Sequence, residues 1–232
     1  MIQTFNEKTT EDAYQKAAEK IEGSINRLLK THGTINLAVP GGRSVAGIFN
    51  YLKNKEIDWQ KIHIFMIDER LVEITDSESN FLLVQKHLTD ELIKKGKMSQ
   101  ENLHPFILDE TESDHGIINY ENEIKRQGAK YDIILLSSGE DGHVGGLYPN
   151  HHSIKNNSNF YLAFNDSPKP PKYRMSSSRK LLLSADSAVL LFLGEGKKEA
   201  FEKFKNDSLE LFECPAKIVN YIENSFVITQ FK

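Results

Sequence analysis

Four short runs of almost purely apolar residues constrain this chain more than anything else in it. They are Ile35–Val39 (INLAV), Ile62–Ile67 (IHIFMI), Tyr131–Leu136 (YDIILL) and Ala188–Leu193 (AVLLFL). A strand with one wet face alternates apolar and polar residues, and these do not. Such strands are buried on both faces, which in practice means a largely parallel sheet covered by helices. The intervening segments supply the helices. Thr9–Lys30 carries Ala13, Ala17, Ile21, Ile25 and Leu28 at helical spacing, and Ser44–Lys53, Ser79–Lys95, His115–Gln127, Lys197–Phe204 and Pro215–Ile222 read as helix. Phe160–Phe164 and Phe226–Thr229 read as further strands. The expected architecture is α/β: one doubly wound, mostly parallel, Rossmann-like sheet with helices on both faces. No linker or repeat interrupts the sequence, so residues 1–232 are expected to form a single domain.

Composition narrows the partners. With 39% hydrophobic and 27% charged residues, the chain suits a soluble folded protein. A net charge of −4 argues against nucleic acid, which needs a basic footprint. The start has no secretory signal, no apolar run is long enough to cross a membrane, and the single cysteine, Cys214, can form no internal disulfide. A cytoplasmic protein is expected, monomeric or weakly dimeric.

Ligands of parallel sheets bind at the carboxyl ends of strands, and three such ends carry unusual residues. Pro40-Gly41-Gly42-Arg43-Ser44 follows the first strand and opens a helix. Its glycines would let the backbone approach an anion, with the helix N–H groups and Ser44 adding donors; a tight turn with a cap explains it equally well. Asp68-Glu69-Arg70 ends the second strand, either as a solvated turn or with Arg70 as a planar fork for phosphate and Asp68 as an orienting group. Asn80, opening the next helix, is expected to cap it. The third end, Ser138-Gly139-Glu140-Asp141-Gly142-His143, sets a histidine beside a carboxylate in a glycine-flanked loop, which suits His143 to proton transfer and Asp141 to orienting it. Farther on, Ser167-Pro168-Lys169-Pro170-Pro171-Lys172-Tyr173-Arg174 would hold Lys169 and Arg174 on a stiff segment able to clamp an anion. His151 and His152 are adjacent, so their rings are expected to diverge, and no metal site is expected.

Taken together, PGGRS, DER followed by SESN, SSGEDGHVGGLYP and SPKPPKYR resemble the 6-phosphogluconolactonases, in the wider family shared with glucosamine-6-phosphate deaminase. The motifs lie in family order from Pro40 to Arg174. The deaminases carry a glutamate five residues after the histidine; here that residue is Tyr148, and Leu147-Tyr148-Pro149 is lactonase-like. Ser137 departs from a customary glycine, Gly145-Gly146 from an alanine-serine pair, and Arg43 from a frequent serine. The resemblance implies hydrolysis of a sugar-phosphate lactone without cofactor or metal. His143 would be the base and Asp141 its partner. Gly41, Gly42, Arg43, Ser44, Asp68, Arg70, Lys169 and Arg174 would face the substrate and its phosphate. A deaminase of amino-sugar phosphates and a non-catalytic sugar-phosphate sensor are the alternatives.

Overall fold

A computed structural model of the chain describes residues 2–232, and of Arg43 only the backbone. In chain order the elements are β1 (Ile2–Asn6), α1 (Thr10–Leu28), β2 (Ile35–Val39), α2 (Arg43–Leu52), β3 (Ile62–Met66) and β4 (Asp68–Arg70). Helix α3 (Asn80–Val84) then runs through a π turn at Gln85–Thr89 into α4 (Asp90–Lys94). Strand β5 (Leu103–His104), α5 (Ile117–Arg126), β6 (Ile133–Ser137), α6 (His152–Lys155), β7 (Tyr161–Phe164) and β8 (Arg174–Ser177) follow. The chain closes with α7 (Arg179–Leu182), β9 (Ser187–Phe192), α8 (Lys198–Lys205), a 3-10 segment at Pro215–Tyr221 and β10 (Asn224–Thr229).

Seven strands form one parallel sheet in the order β1-β10-β9-β6-β2-β3-β5. The expected doubly wound α/β architecture is therefore present. Its physical cause is visible strand by strand: every residue of β2 and β9 is buried, leaving no face for water. Helix α1 packs on the sheet through Ala13, Ala17, Ile21, Ile25 and Leu28, all at most 4% exposed. Thr9 caps it, its side chain accepting the Asp12 N–H at 3.0 Å.

The strand order reverses between β2 and β6, because β3 and β5 continue outward from β2 while β9, β10 and β1 continue outward from β6. That topological switch opens a crevice beyond the carboxyl ends of β2 and β6, where the glycine loops after Val39 and Ser137 emerge.

A second, antiparallel sheet, β4-β8-β7, stands beyond the end of β3. Ser177 N–H donates to the Ile67 carbonyl at 2.7 Å, tying this small sheet to the last turn of chain after β3. The segment 160–164 thus pairs outside the main sheet, and Asp68-Glu69-Arg70 is strand rather than turn. Residue alternation then decides direction: Glu69 faces inward while Asp68 and Arg70 face the crevice.

At the β3–β5 edge, the His63 and His104 rings meet, Nδ1 to Nε2, at 2.9 Å, and His104 Nδ1 lies 3.4 Å from Glu123. His104 also stacks on Phe65, with centroids 4.2 Å apart. Burial, reinforced by the neighbouring His63 and opposed by Glu123, holds the His104 pKa below that of a free imidazole. A depressed folded value means that the unfolded chain takes up the proton first. The associated stability is present above about pH 6.5 and is lost as pH falls below it toward the folded value. The wild-type melting temperature is accordingly expected to fall on acidification through this range, and that of His104→Gln by less. Parallel falls in the two proteins would contradict the assignment.

Candidate active site

The crevice is a cleft of about 330 Å³ at the switch point. Each expected strand end reaches it, and each for a local reason. After β2, the chain turns through Gly41-Gly42. A Cβ on Gly41 would lie 1.9 Å from Asn80 Oδ1, so only glycine allows this loop to rest against that side chain, and Gly42 takes φ +105°. Asn80 does not cap its helix. Ser79 does, accepting the Leu82 N–H at 3.2 Å, while Asn80 Nδ2 donates to the Asp68 carbonyl at 2.9 Å and the Asn80 side chain enters the cleft. Gly41 and Gly42 line the cleft. Ser44 lies in an adjoining recess with Gly42, Glu140 and Lys197. The Arg43 side chain lies outside the described residues.

The second strand end owes its geometry to Glu69, which is 1% exposed. Its carboxylate accepts N–H groups from Arg70 (2.7 Å), Asn80 and Phe81 (2.8 Å each) and the Ser79 hydroxyl (3.1 Å). One inward carboxylate thereby fixes both the strand carrying Asp68 and Arg70 and the first turn of α3. Arg70 stands opposite Arg174 in the antiparallel register, so their side chains share a face. Arg174 is held by the carbonyls of Pro171 (Nε, 3.0 Å) and Pro170 (Nη2, 2.8 Å). Arg70 Nη1 donates to the Glu78 carbonyl, and its buried Nε has no hydrogen-bond partner among the described residues. Burial pushes the Asp68 carboxyl above the usual carboxylate range, against the pull of Arg174, Arg70 and His143.

The third strand end carries the histidine. Gly139 N–H donates to the His143 carbonyl at 2.8 Å, closing a tight loop. The imidazole lies directly over Gly139, where a Cβ would come within 2.1 Å of its Nδ1 and Cε1. Asp141 Oδ1 meets His143 Nδ1 at 2.6 Å and accepts the His143 N–H at 3.1 Å. Burial opposes the charge on Asp141, yet the hydrogen bonds and charge of His143 hold its carboxyl well below the usual range. An ionised carboxylate only accepts, so Nδ1 carries the proton. Nε2 is then the basic nitrogen left for the cleft. Tyr148, 2% exposed, covers the ring from the side with centroids 4.8 Å apart.

Lys169 and Arg174 close the cleft from the proline-rich arm, and Lys197 enters after β9. Among the described residues, four cationic side chains, Arg70, Lys169, Arg174 and Lys197, face two carboxylates, Asp68 and Glu140, in a chain whose net charge is −4. This concentrates positive charge where an anionic ligand would bind. Burial lowers the Lys197 pKa, opposed by Glu140 and Asp141. The strand-end reading missed Lys197, although the signal was present: an apolar strand, then Gly194-Glu195-Gly196-Lys197, then a helix, the same grammar as PGGRS.

The chain is similar to known proteins over nearly its whole length. Residues 8–228 match the family described as glucosamine-6-phosphate isomerases/6-phosphogluconolactonase. A protein of Borreliella burgdorferi named 6-phosphogluconolactonase is 30% identical over 197 residues, covering 85% of this chain and 84% of that one. The crystal structure of a Thermotoga maritima 6-phosphogluconolactonase superposes with a TM-score of 0.81 at 23% identity, over 100% of this chain and 99% of that one. A monomeric glucosamine-6-phosphate deaminase superposes almost as well, with a TM-score of 0.80 at 18% identity over 98% and 96% of the two chains. Backbone likeness therefore fixes the fold and leaves the reaction to the side chains.

Proposed function

The chain belongs to the glucosamine-6-phosphate isomerase/6-phosphogluconolactonase family, and we propose that within it the protein is a 6-phosphogluconolactonase of the oxidative pentose phosphate pathway. It hydrolyses 6-phospho-D-glucono-1,5-lactone to 6-phospho-D-gluconate. The observation that carries this over deamination is Tyr148. Five residues beyond His143, where the deaminases have a glutamate, an aromatic ring packs against the imidazole. The Borreliella burgdorferi relative, which aligns with 85% of the chain, carries the lactonase name as well.

The mechanism follows from the tautomer. His143 Nε2 takes a proton from a water molecule as that water attacks the lactone carbonyl. The imidazolium is stabilised by Asp141, whose carboxylate lies 2.6 Å from Nδ1, and returns the proton to the ring oxygen as the acyl C–O bond breaks. Asp141 thus acts as the aspartate of a hydrolytic triad does, holding tautomer and orientation. Backbone N–H groups of the glycine loops are the available donors for the transient oxyanion.

Arg70, Lys169 and Arg174, with Gly41, Gly42 and Ser44 at the start of α2 and Lys197 beside them, hold the phosphate, while Asp68 orients the guanidinium pair. Binding energy gathered at the phosphate positions the reacting carbonyl. Arg70→Ala is expected to lower kcat/KM about ten-fold or more, mainly through a higher KM, because a charge-assisted contact to bound phosphate is removed. An unchanged KM would remove Arg70 from the phosphate site. A cytosolic location suits the buried, unpaired Cys214.

Three assays on one preparation test the reading. Lactone opening above the spontaneous rate, with no ammonia released from glucosamine 6-phosphate, is expected. Ammonia release would make the protein a deaminase, and binding of 6-phosphogluconate without accelerated lactone opening would make it a sensor.

A further inference from the structure

The adjacent imidazoles of His151 and His152 do not diverge. His151 is the extended residue before α6 (φ −110°, ψ 151°) and His152 is the first residue of the helix, which brings the ring centroids within 4.1 Å. Asp166, in the loop after β7, completes the group. His152 Nε2 lies 2.9 Å and His151 Nε2 3.4 Å from Asp166 Oδ1, and the three donor atoms all lie within 4.8 Å of one another. An ion pair between His152 and Asp166 accounts for only part of this arrangement. His151 Nε2 is buried with no hydrogen-bond partner among the described residues and lies 3.4 Å from the same carboxylate.

We propose that His151, His152 and Asp166 form a binding site for a divalent transition-metal ion of the zinc class, separate from the catalytic histidine. Two imidazoles and a carboxylate are the ligand types that zinc accepts, at about 2.0–2.2 Å each, which sets neighbouring ligand atoms about 3.3 Å apart in a tetrahedron. The observed separations from Asp166 bracket that value. The outer support is also present. Ser153 Oγ lies 3.0 Å from His151 Nδ1 and can accept its proton, which frees Nε2 for the ion, whereas the Ser153 N–H at 3.2 Å favours the opposite tautomer. Metal binding would select the first tautomer. Phe164, 5.5 Å from His151 and 5.9 Å from His152, forms an apolar wall. His152 and Asp166 are 55% and 56% exposed, so the fourth position is open to water.

The site links two sides of the cleft. Asp166 precedes Ser167, whose hydroxyl donates to the Lys169 carbonyl at 2.7 Å and accepts the Lys169 N–H at 3.2 Å, and so leads directly into the arm carrying Lys169. A bound ion would tie the loop that follows the catalytic histidine to the root of that arm.

The test is direct binding to the full chain after chelator treatment. Zn²⁺ is titrated by calorimetry and Co²⁺ by visible absorption, for wild type, His152→Ala, Asp166→Asn and His143→Ala. One equivalent is expected for wild type, with the strong visible bands of tetrahedral Co²⁺. His152→Ala and Asp166→Asn should each weaken binding by about 100-fold or more, and His143→Ala should leave it unchanged. His152 and Asp166 are exposed, so both variants should fold, as circular dichroism would verify. No binding by wild type, undiminished binding in the two site variants, or loss in His143→Ala would each overturn the assignment.

Discussion

Replacing His143 with alanine is expected to lower kcat for lactone hydrolysis by about 10²–10⁴-fold, with the melting temperature little changed. The size follows from the absence of a substitute base in the same position. Nδ1 is committed to Asp141 at 2.6 Å, Nε2 alone is left for a water, and Tyr148 covers the ring without offering a comparable proton acceptor at neutral pH. Burial raises the Tyr148 pKa further, with Ser167 opposing it. Asp141→Asn should fall in the same range. Its amide can donate to Nδ1 and so favour the tautomer whose proton sits on Nε2, the wrong nitrogen for a base. The two losses should not add in the double variant, since both remove one function. Full additivity would mean that Asp141 acts apart from His143.

Glu69→Ala is expected to destabilise the fold by about 3–5 kcal/mol, a fall in melting temperature of roughly 6–20 °C for a chain of this size. Its carboxylate accepts three backbone N–H groups and a hydroxyl in a place water barely reaches, and alanine would leave those donors unpaired. The damage would not be confined to stability. The same carboxylate fixes β4, which carries Asp68 and Arg70, and the turn that presents Asn80 to Gly41. Thermal unfolding of the variant measures the effect. A loss below about 1 kcal/mol, typical of an exposed polar substitution, would mean that Glu69 is not the anchor described.

These two residues mark what the sequence could reveal. His143 was legible because a strand-end loop with glycines and a carboxylate has few structural reasons to hold a histidine. Glu69 sits between two charged neighbours, and its burial depends on β4 pairing with β8, a contact separated by about a hundred residues of chain. Nothing local announces that pairing. The apolar strands INLAV and AVLLFL were plain because burial on both faces removes polar residues from them. Edge strand β1 was missed because its polar residues, Gln3 and Thr4, remain exposed. Lys197 was hidden by reading its segment only as helix, and the convergence of His151 and His152 by assuming that neighbouring side chains part. In both cases the backbone at the element boundary decides where the side chain goes, and composition carries no record of it.

Whether this cleft combines a phosphate grip with a histidine base to open a sugar lactone is tested most directly by measuring kcat/KM for 6-phosphogluconolactone and for the same lactone without its phosphate, each corrected for spontaneous opening. If the cationic wall positions the ester at His143, the phosphorylated lactone should be preferred by about 10²-fold or more, as two or more charge-assisted contacts would give. Equal values, or no acceleration of either lactone, would contradict it.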